Sequence, residues 1–266
     1  MSVDFAFLDS GTGGLPYMVH LMKNYPSFSC VYLGDTAFFP YGEKTVHEIK
    51  ENATNAVQLL IDSFNPTAIV VACNTMSLTA LEDLRQTFPE IAFIGTVPAI
   101  KLAVKVSQNK RIGLLATRSS VESPYTQELI TKFASDSVVI KRADPELISF
   151  VEKEFYSASE AQIEKAIRPA LDFFDSQSVD TIILGCTHFL HLKEKLQQYA
   201  KKNVRIVDSR EGVVKQAIRV WAQIQGISVE ETIARDKEKQ IPKKSGALYI
   251  TGFDLNTPTE EYEEIA

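Results

Sequence analysis

The chain has 266 residues, long for one ordinary domain and comfortable for two. Apolar residues make up 45% and charged residues 23%, and 28 basic against 34 acidic residues leave a formal net charge of -6, too mild and of the wrong sign to favour nucleic acid or anionic lipid. No apolar run approaches the roughly 20 residues that span a bilayer, and Met1–Asp9 lacks the basic-then-apolar order of a signal peptide; the expectation is a cytoplasmic protein with no membrane or nucleic-acid partner.

Along the chain, short apolar runs alternate with segments of helical period, the pattern of an α/β protein with mostly parallel sheets. The spacing predicts strands at Phe5–Leu8, Cys30–Leu33, Ala68–Ala72, Ile91–Gly95, Ile112–Ala116, Val138–Ile140, Thr181–Gly185 and Arg205–Val207. Helices are predicted over Thr45–Phe64 and Ser159–Asp175, the second expected to kink at Pro169. A further helix covers Val213–Gly226, Ala247–Thr251 reads as a last strand, and the acidic tail Thr257–Ala266 is expected to fray.

An approximate internal repeat divides the chain. Ala68–Ala72 leading into Cys73-Asn74-Thr75 resembles Thr181–Gly185 leading into Cys186-Thr187-His188, 113 residues later. Phe5–Leu8 leading into Asp9-Ser10 resembles Ile112–Leu115 leading into Ala116-Thr117, 107 residues later. Two related α/β halves follow: residues 1–96 with a C-terminal return of 210–266, and residues 97–209, with the boundary near Thr96–Pro98.

Ligands in open parallel sheets bind past the carboxyl ends of the strands, so the chemistry is sought there. Of the three cysteines, Cys30 sits inside a strand run and reads as a small buried hydrophobe, a reading that is open for any free cysteine. Cys73 and Cys186 fall at repeat-related strand ends. No Cys-x-x-Cys spacing is present for zinc or dithiol redox chemistry, and no metal is expected. Two thiols presented from separate halves could invert a carbon centre, one removing a proton from one face while the other supplies a proton to the opposite face. Such thiols need help, since a free thiol titrates near about 8.5; Asp9 is assigned to Cys73 and His188 to Cys186.

Other strand-end groups suit a small zwitterion. Asn74, Thr75 and Thr187 offer amide and hydroxyl groups, although the same residue types cap helices. The glycine-rich turn Ser10-Gly11-Thr12-Gly13-Gly14 could cradle an anion or be a tight turn only. Pro40-Tyr41-Gly42 forms a rigid turn after a strand end. Glu152 reads as solvated and His191 as a surface or backing residue. A non-catalytic amino-acid binder would not need both cysteines, and a cysteine-nucleophile enzyme would want a Cys–His–Asn order that is missing.

With these residues in view, the sequence resembles the glutamate racemase branch of the aspartate/glutamate racemase family over roughly Phe5 to Val214. The carriers are Asp9-Ser10-Gly11-Thr12-Gly13-Gly14, Gly34-Asp35-Thr36-Ala37, Pro40-Tyr41-Gly42, Ala72-Cys73-Asn74-Thr75, Gly185-Cys186-Thr187-His188 and Asp208-Ser209. The resemblance implies two pseudosymmetric α/β domains with the active site in the cleft between them, no cofactor, a homodimer, and interconversion of L- and D-glutamate for peptidoglycan, with racemisation of aspartate or another amino acid as the alternative. It implies catalytic roles for Cys73, Cys186, Asp9 and His188, joined by Glu152. Substrate-binding roles fall on Ser10, Pro40, Tyr41, Gly42, Asn74, Thr75, Thr117, Ser120 and Thr187, beside Asp9, the two cysteines and His188. Ser120 stands where the family often has threonine, Met76 where a small residue is frequent, and Phe189-Leu190 where Tyr-Pro is commoner. Lys141–Phe150 lacks the cysteine and much of the apolar character expected ahead of Glu152.

Overall fold

The computed structural model describes residues 2–238 and 246–252; the tail Thr257–Ala266 lies outside them. Its strands are β1 (Phe5–Asp9), β2 (Cys30–Gly34), β3 (Ala68–Val71), β4 (Ala92–Gly95), β5 (Arg111–Ala116), β6 (Val138–Ala143), β7 (Thr181–Leu184), β8 (Arg205–Val207) and β9 (Ala247–Ile250). They form a five-stranded sheet in the order β4-β3-β1-β2-β9 and a four-stranded sheet in the order β6-β5-β7-β8. Every ladder is parallel. The α/β expectation with two mostly parallel, pseudosymmetric sheets is therefore borne out.

The symmetry extends to register. Read through the repeat, β4-β3-β1-β2 becomes β8-β7-β5-β6, which is the observed order of the second sheet. Phe5 lies opposite Ala68 in the first sheet, and Ile112 lies opposite Thr181 in the second. Likewise Ala68 faces Ala92, and Thr181 faces Arg205. The offsets of 107 and 113 residues thus superimpose equivalent pairs.

Parallel connections need crossovers, and helices supply them. Those after the strands of the first sheet are α1 (Leu15–Asn24), α2 (Val46–Phe64), α3 (Asn74–Thr79), α4 (Leu81–Thr87) and α5 (Ile100–Val106). The second sheet is served by α6 (Arg118–Glu122), α7 (Pro124–Phe133), α8 (Pro145–Lys153), α9 (Glu160–Ser176) and α10 (Lys193–Tyr199), and α11 (Arg210–Ile224) and α12 (Val229–Glu238) follow. Side chains alternate across a strand. Phe5 and Phe7 therefore enter a core shared with α1, α9 and α11, while Ala6 and Leu8 face the stripe Ile49, Ala53, Val57 and Leu60 of α2. Ile112, Leu114 and Ile183 form the outer core of the second sheet with Ile100 and Ala103.

Two local expectations are refined. Strand β6 runs on through Lys141, Arg142 and Ala143, which are half-buried at a sheet edge and so carry no apolar signal. Helix α9 continues through Pro169. Pro169 and Lys165, four residues earlier, are both exposed, so water can satisfy the carbonyl that proline leaves without a donor.

Candidate active site

Cys73 and Cys186 each lie two residues past the end of a strand, β3 and β7, and both side chains line one cavity of about 1060 Å³. Ser10, Pro40, Tyr41, Gly42, Asn74, Thr75, Thr117, Thr187 and His188 line it as well. Asp9, Glu152 and Ser120 do not: they sit behind the residues that do. Among the described residues, no group of three or more His, Cys, Asp or Glu side chains is arranged to hold a metal ion.

Cys73 caps α3, its Sγ accepting the Met76 N–H at 3.4 Å and donating to Ser10 Oγ at 3.8 Å. Burial, reinforced by the charge of Asp9, pushes the thiol well above its ordinary range, so this sulfur carries a proton at neutral pH. Asp9 is fully buried at the end of β1. Its Oδ1 accepts from Ser10 N–H at 2.8 Å, and its Oδ2 accepts from Gly14 N–H at 2.6 Å and Thr187 Oγ1 at 3.1 Å. Burial raises the Asp9 carboxyl above the usual range, against the opposing pull of the His188 charge and the Ser10 amide.

The Cys186 side is built differently. Its Sγ lies 3.7 Å from His188 Nδ1, and His188 Nε2 lies 2.8 Å from Glu152 Oε2. Burial works against a charge on this imidazole, but the hydrogen bonds to Cys186 and Glu152 outweigh it and push His188 up to about 10. Glu152 experiences the converse: burial would raise it, yet the hydrogen bond and charge of His188 and the donors of Thr12 hold it below the carboxylate range. The result is a buried ion pair whose cation touches Cys186. An imidazolium there is a charged hydrogen-bond partner for the sulfur.

The glycine-rich turn cradles anions, but they are the protein's own. Thr12 N–H donates to Glu152 at 3.2 Å and Thr12 Oγ1 at 2.8 Å, while the Gly14 and Ser10 amides hold Asp9. Gly13 is required by close approach: a Cβ there would lie 2.6 Å from His188 Nδ1. The expectation of a solvated Glu152 is corrected by this arrangement, since the helix α8 that carries it turns Leu147, Ile148 and Val151 into the core and so brings the carboxylate onto His188.

The remaining candidates divide in two. Asn74 lines the cavity with its buried Oδ1 unpartnered among the described residues, leaving an acceptor for a ligand N–H. Thr75 Oγ1 and Thr117 Oγ1 meet at 3.1 Å across the two halves. Ser120 is drawn away from the cavity; its Oγ accepts from Thr117 at 2.9 Å and its amide is capped by Thr117. His191 is a backing residue: Nε2 bonds the Thr12 carbonyl at 3.3 Å and Nδ1 meets the Tyr156 hydroxyl at 3.1 Å. Burial, then the His188 charge, lowers it to about 4, so it is neutral.

Sequence reasoning missed Tyr32 and Phe39, and it gave Thr12 no role beyond its place in the glycine-rich turn. Tyr32 reads as strand core, yet its hydroxyl donates to Gly11 O at 2.9 Å and accepts from Gly14 N–H at 3.1 Å, fixing the turn that holds Asp9. The Phe39 ring packs 5.3 Å from the His188 ring. A tyrosine in an otherwise aliphatic strand beside a glycine-rich turn is the signal that could have pointed to Tyr32.

The sequence profile of the Asp/Glu/Hydantoin racemase family matches residues 17–217. The chain is 39% identical over 216 residues to the glutamate racemase of Treponema pallidum, covering 81% of this chain and 80% of that one. It is 37% identical to that of Actinobacillus pleuropneumoniae, covering 86% of this chain and 84% of the relative. The fold matches the crystal structure of Escherichia coli glutamate racemase in complex with L-glutamate and the activator UDP-MurNAc-Ala with a TM-score of 0.77, at 28% identity and covering 93% and 98% of the two chains. Matching most of its length in profile and in sequence, and sharing the two-sheet architecture, the chain belongs to the Asp/Glu/Hydantoin racemase family.

Proposed function

We propose that this chain racemises glutamate, converting the L to the D isomer through two cysteines and without a cofactor. One observation carries the reading: two buried strand-end thiols open onto a single cavity, each backed by its own proton-handling group. In the proposed reaction the sulfur of Cys186, beside the His188 imidazolium, takes the α-proton from one face. The carbanion is then protonated from the other face by the Cys73 thiol, with the roles exchanged for reversal. Asn74 and the hydroxyls of Ser10, Thr75, Thr117 and Thr187 would hold the ammonium and carboxylate groups. Glutamate is favoured over aspartate because the relatives in sequence bear the name glutamate racemase and the E. coli structure holds L-glutamate.

The finer assignments belong to the same proposal. The lobes would be residues 1–96 with 210–266, and 97–209, with the cleft between them as active site. The protein would act in the cytoplasm as a homodimer and supply D-glutamate for peptidoglycan. The E. coli relative's activator, a UDP-muramyl compound, supports that context. No helix among the described residues is long and apolar enough to cross a membrane.

The test is loss of α-hydrogen from L- and D-glutamate in deuterium oxide, with aspartate and other amino acids as competitors. The parent is expected to exchange and invert glutamate. Cys73→Ala and Cys186→Ala are each expected to lose inversion by at least about 1,000-fold, the upper part of what one acid–base group contributes. Near-normal turnover in either variant would remove the two-thiol mechanism, and binding without exchange would make the chain a binder.

A further inference from the structure

We infer that the C-terminal strand is a clip that positions the substrate-facing turn of the cavity, with Thr251 as the positioning residue. Strand β9 lies in parallel along β2, with Ile250 opposite Gly34. One residue further, Thr251 gathers the chain that leaves β2. Its N–H donates to Gly34 O at 3.0 Å. Its hydroxyl donates to Asp35 Oδ1 at 2.6 Å and accepts the Ala37 N–H at 3.1 Å, while its carbonyl accepts the Thr36 hydroxyl. The other carboxylate oxygen of Asp35 accepts the Tyr41 hydroxyl at 2.5 Å.

That second bond carries the clip to the cavity. Tyr41 lines it together with Pro40 and Gly42, and Gly42 packs on the other half so closely that a Cβ there would sit 3.1 Å from Thr117 Cβ. Asp35 is 2% exposed, so its oxygens depend on protein donors, and Thr251 and Tyr41 satisfy one each. Removing either leaves a buried oxygen unpaired, and the turn must shift to reach water. The chain can pass this close only with glycine after the threonine: Gly252 has φ +67, and a Cβ there would lie 2.7 Å from Ala37 Cα. The family profile match ends at residue 217, so the clip lies outside it. The inference rests on reading Pro40-Tyr41-Gly42 as the substrate-facing wall of a glutamate racemase.

The test is steady-state kinetics on the full chain with D-glutamate. Thr251→Val is expected to raise KM about ten-fold, the size of one lost hydrogen bond to a carboxylate, with kcat within about two-fold. Thr251→Ser, which keeps the hydroxyl, is expected to restore the parent KM. Tyr41→Phe breaks the same bridge from the other end, so the double variant should raise KM no further than the larger single change. An unchanged KM in Thr251→Val, no rescue by serine, or effects that multiply in the double variant would each overturn the clip. If Thr251→Val does not fold, Asp35→Asn takes its place in the cycle with the same expected pattern. If the parent does not turn over glutamate, the substrate reading fails instead. The clip is then judged by the alkylation rate of Cys73: about three-fold faster in Thr251→Val supports it, because a loosened wall admits reagent, and an unchanged rate overturns it.

Discussion

His188 shows how two residues set the charge of a third. Buried alone, an imidazole loses its proton; held between Cys186 and Glu152, it keeps it. Glu152→Gln removes the anion and leaves burial to dominate, so the imidazolium is expected to be lost at lower pH. The alkaline limb of kcat/KM should move down by about one to two pH units, measured from pH 6 to 10; an unmoved limb would remove Glu152 from the proton-handling chain. Stability follows the same sign. A histidine whose pKa rises on folding from 6.5 to about 10 adds stability that is fully present below pH 6.5 and declines as pH rises through 10. The parent should therefore lose more stability than Glu152→Gln between pH 7 and 10. The cysteines, Asp9 and His188 were legible because reactive residue types at strand ends stand out against apolar runs. Glu152 was not, since nothing in a helical glutamate announces a partner 36 residues away on another element, and only the family resemblance raised it. Tyr32 was hidden for the opposite reason: its ring belongs to the core and only its hydroxyl reaches the turn.

Helices are placed on the two sheets by caps that the sequence displays. Ser159 and Gln162 form a capping box that starts α9, and α9 presents Ile163, Ile167, Ala170, Leu171 and Phe174 to the core. Ser159→Ala removes the side-chain acceptor for the Gln162 amide and is expected to cost about 1 kcal/mol. For a chain of this size that lowers Tm by about 2–4 °C, read by scanning calorimetry; no change would mean that packing alone sets the start of the helix. Caps of this kind, with apolar period, are why α2 and α9 were predicted almost to the residue. The short helices after β3 and β5 were harder to read. In α3 the capping side chain is the cavity-lining Cys73 itself, and in α6 it is Thr117, which also reaches Thr75 in the first half. There, one residue serves helix geometry and the cavity together, so its local role conceals the other. Edge strand β6 illustrates the complementary loss: where one face meets solvent, Lys141 and Arg142 pair with β5 without any apolar pattern.

The two halves share strand order and register, yet the site they form is not symmetric. Through the repeat, Asp9 corresponds to Ala116 and Thr75 to His188, so each half lacks the titratable group that the other carries at the equivalent strand end. The halves are also tied to each other there: Thr187 bonds Asp9, Thr12 bonds Glu152, and Thr75 meets Thr117. Beneath them a single core runs from Phe5, Phe7 and Val70 under the first sheet to Leu115, Phe174 and Leu184 under the second. A core shared in this way couples the stability of both sheets, because neither can open without exposing apolar surface of the other. The chain is therefore expected to unfold in one cooperative transition, with calorimetric and van't Hoff enthalpies in agreement. Glutamate bound between the halves should shift that whole transition. At a concentration about 100 times its Kd it adds about 2.7 kcal/mol, which at this size raises Tm by about 5–10 °C. Two resolved transitions, with glutamate moving only one of them, would show that the ligand is held by a single half and that the halves fold independently. Alanine at either cysteine should leave the single transition intact and lower its Tm only slightly, since Cys186 is one small member of the shared core and Cys73 one of the core against α2, and alanine removes a single sulfur from each. That outcome would separate the chemistry of the site from the packing that holds it in place.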